Sequence, residues 1–156
     1  MAKILGLDPG YGRLGFGIIE ASRGQAVAVA FGVITTDSKT AQAERLREIA
    51  VDVRAIIKKY QPALVSIEEI FFVQSTTTAL KVAEVRGVLM LLAAEAHVPI
   101  IQVKPMEVKM ALTGYGKADK RQMQNMVKTV FGLSSIPKPD DAADALAIAW
   151  AAIGRR

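Results

Sequence analysis

Four carboxylates, Asp8, Glu68, Asp141 and Asp144, have the types and settings to do chemistry together. Asp8 closes KILGLD (3–8), a β-rich run stopped by Pro9-Gly10, and Glu68 closes ALVSIE (63–68), a buried-type strand. If those strands run parallel and adjacent, both acids emerge at one edge of a sheet. Ile4, Gly6 and Asp8 share a strand face, so Asp8 leaves a row that otherwise belongs to the core. Asp141 and Asp144 begin DDAADALAIAW, a segment otherwise of Ala, Leu, Ile and Trp. At about 100° per residue, Asp141, Asp144, Ala145, Ile148 and Ala152 form one stripe, which points both aspartates at the sheet. Buried carboxylates are costly unless a cation meets them. Oxygen ligands without His or Cys suit a hard cation such as Mg²⁺. Two such ions balance four carboxylates, and phosphodiester hydrolysis uses both, one to activate water and the other to stabilise the leaving 3′ oxygen.

Simpler readings exist for each acid alone. Asp141-x-x-Asp144 at a helix start resembles a cap favoured by the helix dipole. Asp8 before Pro9 is also a turn former, and Glu68 also a strand-end residue. The predicted convergence of all four on one edge favours the cation site. Nearby, the run from Lys104 to Lys128 holds six basic residues (Lys104, Lys109, Lys117, Lys120, Arg121, Lys128) against two acids (Glu107, Asp119), a local excess of +4. That run suits a phosphate-lined partner or, more plainly, a solvated face. Lys109 and Lys120 flank the glycine-rich loop TGYGKAD, which either presents N–H groups and a lysine to a phosphate or merely joins two helices.

The elements that must position these side chains follow from periodicity. LGFGII (14–19) pairs back on KILGLD, and AVAVAFGVITT (26–36) alternates small with large residues, so three antiparallel strands open the chain. Leu46, Ile49, Ala50, Val53 and Ile57 mark an amphipathic helix. VPIIQV (98–103) is a further strand. Between it and ALVSIE, residues 77–96 form a helix with so little polar face that it should lie deep in the fold. Helices then follow from Pro105 to Thr113, through Met123–Val130, and through Leu146–Ile153. Strands separated by helices pair in parallel, which predicts one α/β domain over 1–156: a mixed five-stranded sheet of three antiparallel N-terminal strands and two further parallel strands, flanked by helices.

LGLDPG (5–10) with Gly12, Gly15 and Gly17, SIEEIFF (66–72), ALKVAEVRG (79–87) and DDAADALAIA (140–149) together resemble the RuvC family of bacterial Holliday junction resolvases, in order and spacing, from Met1 to about Ile153. The resemblance implies a ribonuclease-H-like fold, a homodimer, and Mg²⁺-dependent symmetric cleavage of two strands of a four-way DNA junction, with Mn²⁺ as a substitute ion. Asp8, Glu68, Asp141 and Asp144 match the family's four acidic positions, Lys109 and Lys120 its functional lysines, and Phe71 its aromatic near the junction centre. Lys117 and Arg121 of the same basic run join them as candidate DNA contacts. Partners implied are a hexameric branch-migration helicase and its junction-binding adaptor. Phe71 and its neighbour Phe72 also read as core residues. Glu69, where many members carry glutamine, either adds charge to the site or, by strand alternation, points to the other face.

Composition narrows the classes further. The 156 residues include no cysteine, which excludes disulfides and thiolate chemistry and fits a reducing cytoplasm, a bacterial one as the resemblance implies. The N-terminus does not read as a signal peptide, and VLMLLAA is too short to span a bilayer. Net charge is +5; without the four site acids the balance becomes 20 − 11 = +9, which favours a polyanionic partner. Two other readings stand beside the resolvase one. LGLDPGYGRLGFG also resembles the opening of actin or sugar-kinase ATP-binding proteins, although 156 residues leave no room for two lobes. A catalytically silent or RNA-processing relative on the same scaffold is the other.

Overall fold

The computed structural model describes residues 1–10, 12–70 and 76–155. Phe71 and Phe72 lie outside the described residues. Strands β1 (Ala2–Pro9), β2 (Arg13–Ser22) and β3 (Gln25–Thr35) follow one another through tight connections, as the alternation predicts. After them come α1 (Gln42–Tyr60), β4 (Leu64–Glu68), α2 (Thr76–Glu95) and β5 (Ile100–Val103). Three helices complete the chain: α3 (Pro105–Thr113), α4 (Lys120–Val130) and α5 (Asp140–Ala151). The five strands make one sheet in the order β3-β2-β1-β4-β5. β1–β2 and β2–β3 are antiparallel, while β1–β4 and β4–β5 are parallel. This is the mixed sheet expected from the sequence.

Strand alternation divides the core between the two faces. Leu5, Leu7, Leu14, Ile18, Val65 and Ile67 pack under α1 and α2. Ile4, Ile19 and Leu64 pack with α3, α4 and α5 on the other face. Burying each such aliphatic side chain is worth about 1.5–3 kcal/mol, so both layers are held by the sheet's own pattern.

The sheet is unusually bare beneath α5, and sequence explains why. A Cβ added at Gly6 would stand 2.1 Å from the Ala145 carbonyl oxygen, and one at Gly15 would stand 2.0 Å from the Asp141 carbonyl oxygen. At both positions only glycine leaves room for the helix backbone to lie on the strand backbone. Ser66, paired with Gly6, adds a hydrogen bond from its hydroxyl to the Ile148 carbonyl at 2.9 Å. Trp150 Nε1 donates to the Ala111 carbonyl at 2.9 Å and so ties α5 to α3.

Helix α2 corrects the expectation drawn from its composition. It does not lie deep in the fold: Val85, Arg86, Leu89, Leu92 and Ala93 turn inward, but Leu80 and Leu91 are each 57% exposed. Its second apolar face finds no partner among the described residues of this chain. Low polarity indicated contact, and the contact surface left open is on the outside.

Candidate active site

Each acid reaches one region because of a different local rule. β1 and β4 are adjacent and parallel with Leu7 opposite Ile67, so Asp8 and Glu68 follow side by side at the same strand ends. Gly6 and Ser66 both face α5, and two residues further on each strand comes an acid on that same face. Gly15 stands opposite Asp8 in the β1–β2 ladder, and its missing side chain is what admits the first turn of α5. Asp141 is in that turn and Asp144 one turn later. No side chain caps α5, whose N-cap is Pro139, so the capping reading of these aspartates is not what the helix uses.

Electrostatics bind the four into one system. Burial, then the charges of Asp144, Glu68 and Asp141, push the Asp8 carboxyl up to about 8, against a smaller opposite pull from Lys120. Glu68 is pushed up to about 7, first by burial and then by Asp144, with Lys109 and Arg86 working the other way. Burial also raises Asp144, with Lys120 opposing. Without a cation, this hollow therefore retains protons near neutral pH.

A cleft of about 260 Å³ opens here, lined by Glu68 and Asp144 together with Lys109, Lys120 and Asp119. Lys109 projects from α3 and Lys120 from the first turn of α4. Asp119 caps α4 by accepting from the Gln122 N–H at 2.8 Å, which fixes the helix start that carries Lys120. Lys120 Nζ lies 3.0 Å from Asp140, a third aspartate at the α5 start whose role composition did not single out. The cleft thus unites the two lysines with Glu68 and Asp144; Asp8 and Asp141 do not line it. Lys117 and Arg121 are exposed and do not line it. Phe71 lies outside the described residues.

Two further residues escaped the sequence reading. Arg13 Nε stands 3.5 Å from Asp141, beside the site; it is two residues before Gly15 on β2, a signal available once the β1–β2 register is known. Arg86 is buried on α2, and its guanidinium donates to the Glu68 carbonyl and to Gln102 Oε1. It falls in the same stripe as Val82, Leu89 and Ala93, an arginine within an apolar row. Burial lowers the Arg86 guanidinium, and the charges of Glu69 and Glu68 oppose that.

The donor set fits a divalent cation in chemistry and charge: all oxygen, four acids, two of them raised toward neutral pH by burial and mutual repulsion. Among the described residues no three His, Cys, Asp or Glu side chains are drawn together as a ready cage for an ion. Of the four acids, Glu68 and Asp144 line the cleft, and Asp8 and Asp141 join them through their charges.

A five-stranded mixed sheet in this order, with acids delivered from adjacent parallel strand ends and a helix laid across them, defines the ribonuclease-H-like resolvase class. The family model described as crossover junction endodeoxyribonuclease RuvC matches residues 4–152. A protein of that name from Roseiflexus sp. (strain RS-1) is 48% identical, covering 94% of this chain and 88% of its own. The structure of Thermus thermophilus RuvC matches with a TM-score of 0.88 at 35% identity, covering 96% of this chain and 92% of that one. The same protein in complex with Holliday junction substrate matches with a TM-score of 0.88 at 32% identity, covering 97% and 92%. The chain belongs to the RuvC family. That membership sets aside the actin or sugar-kinase reading.

Proposed function

We propose that this chain is a structure-selective endonuclease that resolves four-way (Holliday) DNA junctions in recombination and repair, cutting two strands symmetrically by phosphodiester hydrolysis. The observation that carries the reading is the single cleft in which acids from β4 and α5 meet lysines from α3 and α4. Asp8, Glu68, Asp141 and Asp144 would hold two Mg²⁺, with Mn²⁺ able to replace them. When bound, the ions supply an activated water and stabilise the leaving 3′ oxygen. Asp8 and Glu68 would hold the ions in their ionised form, since a bound cation offsets the burial and repulsion that raise both. Lys109 and Lys120 would seat the phosphates on either side of the bond to be cut. Phe71, Lys117 and Arg121 are proposed as junction contacts outside the cleft.

Paired cutting needs two sites. The outward face of α2, with Leu80, Gly87, Met90 and Leu91, would meet a second copy and form the homodimer. This stripe carries one acid, Glu84, and leaves a large apolar surface that a lone chain exposes to water. A branch-migration helicase and its junction-binding adaptor are the proposed partners, and a bacterial cytoplasm the proposed location. No helix among the described residues is long and apolar enough to cross a membrane.

The deciding experiment compares a four-way DNA junction with structured RNA as substrates in Mg²⁺. Paired nicks at opposing junction strands are expected. Cleavage of RNA alone, or of neither, would overturn the assignment.

A further inference from the structure

An arginine on a helix normally extends its charge into water along its own aliphatic stem. Arg86 does the reverse. It sits on the inward face of α2, buried, between Val85 and the exposed Gly87. Burying a guanidinium is expensive unless it is paired and hydrogen-bonded. Here the pairing is specific: one terminal nitrogen donates to the backbone carbonyl of Glu68, the other to the side-chain oxygen of Gln102 on β5.

Those two acceptors lie where the sheet runs out. The β1–β4 ladder stops at Leu7 opposite Ile67, and the β4–β5 ladder stops at Glu68 opposite Val103. Past that point the Glu69 N–H bonds to the Val103 carbonyl at 2.8 Å, and β4 has ended. Glu68 is therefore the last residue of its strand, held by β5 on one side only. The Glu69 bond restrains the Glu68–Glu69 peptide from its N–H side, and the carbonyl side of the same plane is left for a partner outside the sheet to fix. The planar fork of Arg86 does so, spanning β4 and β5 from the helix layer.

We propose that Arg86 is a positioning residue: by gripping the Glu68 carbonyl and Gln102 together, it presets the Glu68 carboxylate for the divalent cation. This rests on the metal site proposed above. Arg86 touches neither ion nor DNA, and its effect passes wholly through Glu68.

The test uses the full chain with Mn²⁺ as probe. Free Mn²⁺ is read by electron paramagnetic resonance, junction affinity is measured in Ca²⁺, and thermal unfolding is followed in parallel. Arg86→Gln should weaken Mn²⁺ binding by roughly 10- to 100-fold, the usual effect of losing a partner that orients a metal ligand. The Mg²⁺ concentration for half-maximal cleavage should rise in step, while junction affinity stays unchanged. A role in stability alone would lower the unfolding temperature without moving Mn²⁺ affinity, and that result overturns the proposal. Arg86→Lys keeps the charge but cannot span both acceptors, so it should behave like Arg86→Gln; full recovery would show that charge suffices and also overturn it. Should Arg86→Gln not fold, Gln102→Ala, at an exposed residue, removes the other end of the tie and should weaken Mn²⁺ binding in the same direction. No change there overturns the proposal. Wild-type protein that binds no Mn²⁺ would instead refute the metal site itself, and this inference with it, whereas equal binding by wild type and variants refutes the inference alone.

Discussion

At the scale of single residues, the acids differ in what their surroundings ask of them. Asp8 is the most perturbed, raised to about 8 from an ordinary value of 3.8. A raised folded-state value means that its protonated form stabilises the fold below about pH 4, and that this contribution is lost as pH climbs through 8. The metal-free protein should therefore lose stability across that window. Asp8→Asn, which cannot ionise, should raise the unfolding temperature of the metal-free protein at pH 8, by roughly 2–4 °C for each kcal/mol gained at this chain length. The same variant should bind junctions normally yet lose cleavage by more than the roughly 10–100-fold expected for an outer partner of a metal ligand. Nicking at the normal rate, in a gel assay with Mg²⁺, would contradict both the site and the mechanism. That these four carboxylates come close enough to act on one another was legible in the sequence, because each obeyed a face rule: period two on the strands, the stripe on the last helix. Arg86 was not, since an arginine on a helix reads as solvated until tertiary contacts are known. Lys117 and Arg121 stand outside the cleft, for a local excess of charge gives a count and no direction.

At the scale of elements, α5 against β1 and β2 is the contact that makes the site. Gly15 faces the Asp141 carbonyl, where a methyl group would overlap backbone that cannot rotate away. Gly15→Ala should cost about 1–3 kcal/mol in urea unfolding, as overpacking does elsewhere, and should also depress cleavage because it lifts Asp141 and Asp144 from the strand ends. A variant with wild-type stability and activity would show that α5 has more freedom than this seat allows. The order and pairing of strands were readable from alternation and from the helices between them. The depth of α2 was not: an all-round apolar helix looks alike in sequence whether its second face meets the same chain or another one.

At the scale of the whole molecule, charge and assembly set how DNA is met. Outside the four acids the balance is 20 − 11 = +9, so junction affinity should fall steeply with salt, in proportion to the phosphates neutralised. Titrations between 50 and 200 mM salt, about the range over which such losses reach 10³-fold or more, check this directly. Leu91→Glu, at an exposed position on α2, should leave the fold intact and shift the sedimenting species from dimer to monomer. Paired nicks should then give way to single ones. A dimer unaffected by that charge would place the interface elsewhere.

With the four acids acting together as proposed, the bare seat under α5 also dates the completion of the site. Asp8 leaves the ribosome early, while Asp141 and Asp144 emerge only after nearly every other strand and helix has been synthesised. A nascent or prematurely terminated chain therefore lacks half of its acidic quartet. On that reading the site would be completed late in translation, once the last long helix settles onto the glycines.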